Sequence, residues 1–403
     1  MKKRLATAEG LRGSKLLETS MKTLIAFSTA TVEEMIEKGN LWFVRHFEIY
    51  FDQVYMVCPF GSPHAPVSQG KTTYISLGKG RFRSDLFFAP FRLYGLAKRV
   101  NATSYFTADQ FYSWWVFAAV KLLLGARIHL SPDSMPYKLQ EERGKSLTGL
   151  PMWIERLFIR LSYRRADNVF VSERAGNFTE WVSSSTPSRK RLKLVNSVVH
   201  ALPSIEFFAT LESVRLEKRS LAKKDTVQLL SVGRIHSQKL IDHLIRMLAL
   251  VRTSYEGLPD ITLKLIGEGE ERASLQELAA EMGVAGVVEF AGSIPNKDLP
   301  YHYAKADIFV SPLTGTSLRE AGLCALPVVA YNMDWVKGTF VDEETALLVR
   351  PYDYNHMAEQ VVRLIRDEGL YEKLSSGIKF FADTNWSPES LRTSLEQTFG
   401  LDY

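Results

Sequence analysis

From residue 22 onward, short apolar runs alternate with stretches of helical period, an order that points to parallel sheets covered by helices on both faces. In the first half KTLIAFST (22–29), QVYMVCPF (53–60), SYFTA (104–108), RIHLS (127–131) and NVFVS (168–172) read as buried strands, and helices are expected near 31–47, 111–124 and 151–166. In the second half TVQLLSVG (226–233), ITLKLIG (261–267), VVEFAG (287–292), DIFVSP (307–312), PVVAY (327–331) and ALLV (346–349) alternate with helices near 239–252, 270–282, 298–305, 317–325 and 355–367. Two doubly wound α/β sheets in tandem follow, and 403 residues suit two domains. The polar stretch SSSTPSRKR (183–191), a short strand LKLV and then VHALPS (199–204) mark a joint near residue 198. The chain therefore divides into a basic tail (1–20), a first domain (21–198), a second domain (199–385) and a terminal helix (386–403).

Several function classes drop out on composition. Cys58 and Cys324 cannot build a disulfide framework or a four-ligand zinc site, and the eight histidines fall in no metal-ligand spacing. The longest apolar stretch, Phe111 to Leu124, is interrupted by Lys121 and is shorter than the roughly 18–20 residues that span a bilayer. The first 20 residues are basic but lack an apolar core, so no secretory signal is expected and a reducing cytoplasm is the expected compartment. Charge is divided unevenly. Residues 1–20 carry 5 basic and 2 acidic side chains (+3), 21–198 carry 24 and 14 (+10), and 199–403 carry 21 and 29 (−8). The first half thus suits an anionic partner such as a phospholipid surface, while no zinc-finger spacing, RNA-binding aromatic signature or basic duplex-reading helix supports nucleic acid.

In doubly wound sheets, ligands collect at the carboxyl ends of the strands, where helix N-termini favour anions. Three segments stand at such ends. In SVGRIHSQKLIDHLI (231–245) a strand ends in Gly233, Arg234 follows, and Lys239 opens the expected helix; these two cations can converge on one diphosphate, although an exposed Arg and Lys on a loop would look the same. In SPLTGTSLREAGLCALPVVAY (311–331) small residues precede a helix with Glu320 in its expected first turn. Thr316 or Ser317 with Glu320 fits a capping box, and equally a phosphate site with a carboxylate for two sugar hydroxyls. GEGEE (267–271) reads as a tight structural turn.

Taken together, the second-half motifs resemble glycosyltransferase family 4 of the GT-B fold. VGRIHSQKLIDHLI, LIGEGEERASLQELAAEMGV, VVEFAGSIPNKDLPYHYAKADIFVSP and EAGLCALPVVAYNMDWVKGTFVDEETALLV follow the family's order over residues 226–366. The resemblance implies two Rossmann-like domains facing across a cleft, with helix 386–399 crossing back to the first domain. It also implies a nucleotide-sugar donor on the second domain: Gly233, Arg234 and Lys239 at the diphosphate, the N–H groups of Thr316, Ser317 and Leu318 assisting, Glu320 on the ribose, and backbone at Gly292 to Ile294 facing the base. Family members are typically retaining and need no metal or other cofactor, the diphosphate being offset by cations and a helix dipole.

The departures sit near the chemistry. The family's second Glu, eight residues before Glu320, is Pro312 here; Ser28, Thr29 and Ala30 replace a Gly-Gly loop; and the place of an acceptor-side His falls on Asp133, His129 lying within the strand. Asp133 is expected either to orient an acceptor hydroxyl and stabilise charge on the sugar ring, or simply to form a turn after Pro132. Asn196-Ser197-Val198 resembles the family's interdomain joint, and a mobile acceptor loop is expected over 136–149.

On the acceptor side, PMWIERLFIRLSYRRAD (151–167) sets Met152, Trp153 and Leu157 against Arg156, Arg160, Arg164 and Arg165. It is either a membrane-interface helix or a core helix with solvated arginines. The combined expectation is a transferase acting on a glycan or lipid-linked acceptor in cell-surface polysaccharide or glycolipid assembly, cytoplasmic and peripheral at the inner membrane face. The alternatives are a non-catalytic GT-B homologue serving as a binding or scaffold subunit, and a nucleotide-sugar epimerase.

Overall fold

The computed structural model describes residues 21–37, 42–59, 62–132, 150–172, 182, 192–195, 202–214, 216, 220–222, 224–313, 315–333 and 335–400. The basic tail, Asp133, the loop 136–149, the polar stretch 183–191, Asn196 to Val198 and Thr314 lie outside the described residues.

The first half runs β1 (Thr23–Phe27), α1 (Val32–Glu37), β2 (Gln53–Cys58), β3 (Val67–Gln69), β4 (Thr72–Ser76), α2 (Phe82–Arg99), β5 (Ser104–Thr107), α3 (Ser113–Val116), α4 (Ala118–Leu124), β6 (Ile128–Leu130), α5 (Met152–Arg165), β7 (Asn168–Ser172) and β8 (Leu192–Val195). Its sheet has the order β3-β4-β2-β1-β5-β6-β7-β8, parallel except for the β3–β4 hairpin. Every side chain of β1 is buried, as a central strand covered on both faces requires.

After α6 (Ile205–Ser213) the second half runs β9 (Thr226–Val232), α7 (Ile241–Ser254), β10 (Asp260–Ile266), α8 (Arg272–Glu281), β11 (Val288–Gly292), α9 (Leu299–Lys305), β12 (Ile308–Ser311), α10 (Thr316–Leu323), β13 (Val328–Tyr331), β14 (Leu347–Val349), α11 (Tyr354–Arg366), α12 (Glu368–Trp386) and α13 (Pro388–Phe399). The sheet order is β11-β10-β9-β12-β13-β14, and all its pairs are parallel. Helix α13 packs against β8 and the 3-10 helix Trp42–Ile49 of the first half. Its last residue, Phe399, sits 5.0 Å from the Phe51 ring and 4.6 Å from the His129 ring.

Some elements differ from expectation. The helix expected over 31–47 stops at Glu37, and Trp42–Ile49 forms a 3-10 helix instead. The helix expected over 111–124 breaks at Phe117, whose backbone (φ −87, ψ 2) leaves the helical region. That break buries Phe117 against the rings of Phe27 (5.9 Å) and Tyr105 (6.1 Å). Helix α2 was not expected: Pro90 stands inside it, and its outward side is aromatic, so neither punctuation nor polarity signals a helix. Pro90 has no N–H for the Leu86 carbonyl four residues back, and the Trp115 indole N–H donates to that carbonyl at 2.7 Å.

Candidate functional site

In the second sheet β9 lies between β10 and β12, so the connections leave in opposite directions at this edge and open a crevice. Gly233, Arg234 and Ile235 follow β9 and are tied to the neighbouring loops. Gly233 N donates to Ile266 O (2.9 Å), Ile235 N to Glu268 O (2.9 Å), and Gly267 N to Gly292 O (2.8 Å). The GEGEE turn is structural in a strict sense. A Cβ on Gly267 would lie 1.9 Å from Gly233 O and one on Gly269 1.8 Å from Ile235 O, so only glycines let the two loops close.

Arg234 is exposed, and among the described residues nothing engages its guanidinium. Lys239 does not open α7. It ends the 3-10 turn Ser237–Lys239, and Leu240 at φ 53 separates that turn from the helix. His236 steadies the turn by accepting from Gln238 N (3.3 Å) while its Nε2 lies 3.2 Å from Glu270 Oε1.

At the far side of the crevice α10 begins after Gly315, an N-cap residue with no side chain to cap it. Thr316 is half-buried; Ser317 and Leu318 are buried. Glu320 stands in the second turn rather than the first, so the capping box is not formed. Its side chain turns inward, where Oε1 accepts from Asn296 Nδ2 (2.9 Å) and Oε2 from the Tyr303 hydroxyl (2.7 Å). Burial pushes the Glu320 carboxyl above its ordinary range while Tyr303 and Asn296 hold it down, the net shift being upward. The Ser204 hydroxyl, capping α6 where the chain enters the second half, donates to Asn296 Oδ1. Gly292 adopts φ 75, and half-buried Ile294 precedes the Asn296 turn. Gly233, Arg234, Gly292, Ile294 and Glu320 are thus linked around one sheet edge, and the buried Pro312 ends β12 beside them.

The first sheet has a switch point too, between β1 and β5, and a cavity of about 410 Å³ opens there. Ser28, Thr29, Ala30, Phe43, Asp109 and Gln110 contribute to its walls. Asp109 Oδ1 accepts from the backbone N–H groups of Phe111 (3.1 Å), Tyr112 (2.6 Å) and Ser113 (3.1 Å), and Gln110 Oε1 accepts from the Tyr163 hydroxyl (3.0 Å). Arg156, Arg160, Arg164 and Arg165 are all exposed on α5, which packs against α3 in the first half and is not part of the second-sheet crevice.

Sequence reasoning missed Asn296, Tyr303, Ser204, His236, Glu270, Asp109 and Gln110. Asn296 and Tyr303 precede Glu320 by 24 and 17 residues, separations that carry no local signal. Asp109 and Gln110 had one: polar residues directly after the buried strand SYFT, at a strand's carboxyl end.

Residues 214–379 match the family model described as glycosyl transferases group 1. Over 181 residues the chain is 30% identical to a GDP-mannose-dependent alpha-(1-6)-phosphatidylinositol monomannoside mannosyltransferase of Mycolicibacterium smegmatis, covering 42% of this chain and 46% of that one. A 2-deoxystreptamine glucosyltransferase of Streptomyces kanamyceticus is 28% identical over 181 residues, 43% and 46% of the two chains. The chain spans about half the length of the curated relatives it matches. Among solved structures, Anabaena HepE in complex with UDP superposes with a TM-score of 0.66 at 15% identity, covering 94% of this chain and 100% of that one. Sucrose-phosphate synthase from Thermosynechococcus elongatus gives 0.64 at 17% identity, with 94% and 98% covered. Over residues 214–379 the second half is similar to the glycosyl transferases group 1 family, and the two sheets together make a GT-B fold.

Proposed function

We propose that the protein transfers a sugar from a nucleoside diphosphate to a hydroxyl of a glycan or lipid-linked acceptor, with retention and without a metal ion. The observation that carries this reading is the crevice of the second sheet, where exposed Arg234, the start of α10 behind Gly315 and the buried Glu320 border one edge. An anionic diphosphate suits that edge: Arg234 presents a planar fork, Lys239 a point charge, and the first-turn N–H groups of α10 a positive dipole end. These groups offset charge on the departing diphosphate as the bond from the anomeric carbon breaks, which is the work a divalent cation does elsewhere. Glu320, buried and held by Asn296 and Tyr303, ties α10 to the Asn296 turn and so fixes the shape of this edge from inside rather than facing the donor. UDP bound to the similarly folded HepE and the GDP-mannose named for the mycobacterial relative support a nucleotide-sugar donor.

The acceptor belongs to the first-sheet cavity, whose wall combines Ser28 and Gln110 with Phe43 and Phe111. Such a mixed lining suits a sugar ring, with polar groups at its edges and an apolar face. A non-catalytic binding role is the competing reading, favoured by Pro312 in place of a carboxylate.

Thermal stabilisation by UDP, GDP and their sugars separates the two when followed by transfer assays on the nucleotide that binds. At about a hundred times its dissociation constant a ligand adds roughly 2.7 kcal/mol to the wild type, and Arg234→Ala with Lys239→Ala removes most of that gain. If no nucleotide stabilises the wild type, the donor site is not one; if a nucleotide sugar binds but is neither transferred nor hydrolysed, the binding role stands.

A further inference from the structure

Of the eight residues of α10 only Thr316 and Arg319 are not buried, and being three apart they share one face of the helix. That face begins at the crevice, since Thr316 is the first helical residue after Gly315. A long side chain on a helix leans toward the N-terminal turn, so the Arg319 guanidinium is carried back toward the same edge. It lies 4.3 Å from the centroid of the half-buried Trp335 ring, and Trp335 follows the carboxyl end of β13, the strand beside β12. Contact with a ring face uses none of the guanidinium N–H groups. Among the described residues nothing accepts a hydrogen bond from them, and the Nε is cut off from solvent. Glu320, next in sequence, turns the other way to Asn296 and Tyr303.

Three costs meet at this side chain. Its charge is partly desolvated, its donors are unmet, and it stands near the positive end of a helix dipole. A carboxylate offsets all three, because the guanidinium fork matches its two oxygens. The strand order says where on the donor such a group belongs. With the base at Gly292 to Ile294 after β11, and the diphosphate between Arg234 after β9 and the start of α10 after β12, the donor runs along the edge in the order β11-β10-β9-β12. Continuing in that direction, the sugar comes to the ends of β12 and β13, where Pro312 and Trp335 stand. Pro312 brings no negative charge to repel an acidic sugar, and the diphosphate already has Arg234 and Lys239. Resting on the nucleotide-sugar reading of this crevice, we propose that Arg319 receives the carboxylate of the transferred sugar, so that the donor is a nucleoside diphosphate linked to a uronic acid.

The full chain is titrated calorimetrically with UDP, UDP-glucose and UDP-glucuronic acid, and with GDP, GDP-mannose and GDP-mannuronic acid. For the nucleotide that binds, the acidic sugar is expected to bind about tenfold or more tighter than its neutral counterpart, the scale of one charge-assisted hydrogen bond. Arg319→Met removes that preference while the affinity for the bare nucleotide stays within about twofold, as for independent sites. Arg319→Lys, which keeps the charge without the fork, keeps part of the preference. Arg234→Ala weakens the bare nucleotide and both sugars together, and melting curves verify that each variant folds. Equal binding of acidic and neutral sugars by the wild type overturns the proposal without recourse to any variant. So does a preference that survives in Arg319→Met, or a loss in that variant that is as large for the bare nucleotide as for the uronic acid, since it assigns Arg319 to the diphosphate. If no nucleotide binds in any form, the donor reading falls together with this one, whereas nucleotide binding without a preference overturns the assignment of Arg319 alone.

Discussion

The Tyr303 hydroxyl donates to Glu320 Oε2 at 2.7 Å with both side chains buried, so a phenol from α9 holds a carboxylate inside α10. Burial is the largest influence on Glu320 and raises its pKa in the folded chain. A raised carboxyl contributes stability that is fully present below its unfolded pKa and is lost as pH rises through the folded value. Glu320→Gln removes that titration. Urea unfolding of the two proteins is expected to show a difference that moves in favour of the Gln variant from about pH 4 to pH 7. Tyr303→Phe leaves the carboxylate short of a donor and costs about 1–3 kcal/mol at neutral pH, less in acid. A pH-independent difference for both would show that the pair is not coupled as the geometry indicates.

The Gly269 and Gly233 positions make a matched pair. A methyl at Gly269 would overlap Ile235 O, whereas a methyl at Gly233 meets nothing within 4 Å. Gly269→Ala must push back the loop that carries Arg234, so it is expected to cost 2 kcal/mol or more, about the scale of overpacking, and to weaken nucleotide binding. Gly233→Ala is expected to change melting by little. Calorimetric melting with and without nucleotide checks both, and equal behaviour of the two variants counts against the close approach.

This contrast shows which parts of the molecule were legible in the sequence. Buried parallel strands announce themselves as β-branched runs, and TVQLLSV, ITLKLI and VVAY fall where the strands do. The α2 surface was hidden because its helix carries Pro90 and outward phenylalanines, a pattern that resembles neither an amphipathic helix nor a buried one. The orientation of Glu320 was hidden for a different reason. Whether a carboxylate faces solvent or interior depends on donors brought from Asn296 and Tyr303, and such contacts are tertiary. Lys239 was displaced from the helix start by a single residue, Leu240, in the left-handed region, which its residue type does not favour.

Asp85, at the start of α2, accepts from the backbone N–H groups of Lys79 (2.8 Å) and Arg81 (3.0 Å) and from Arg92 Nη1 (2.7 Å). Burial alone would raise its pKa, but Arg92 and the two N–H groups outweigh burial and leave it lowered. A depressed carboxylate stabilises above its unfolded pKa, and the contribution is lost as pH falls through the folded value. Asp85→Asn is expected to cost about 3 kcal/mol at neutral pH, the scale of a broken buried ion pair, with the deficit closing below about pH 4. Denaturant titrations of both proteins across that range test it, and a deficit that persists in acid would assign the loss to packing.

Arg319 presents the opposite balance. Its guanidinium lies 4.3 Å from the Trp335 ring and 5.9 Å from that of Trp386, at the end of α12 before the chain crosses back to the first half. Among the described residues its Nε is buried without a hydrogen-bond partner, and burial lowers its pKa to about 10. Stacking over the indoles contributes about 0.5–2 kcal/mol, and the unmet donor costs about 1–3 kcal/mol, so the charge gains the fold little. Arg319→Met keeps the length of the side chain between the rings while removing both effects, and its stability is expected to fall within about 1 kcal/mol of the wild type. Arg319→Ala opens a void between two tryptophans and should cost about 2 kcal/mol or more. Urea unfolding followed by tryptophan fluorescence ranks the three. A Met variant as unstable as the Ala variant would mean that the cation, rather than the filled space, holds α10 to the end of α12.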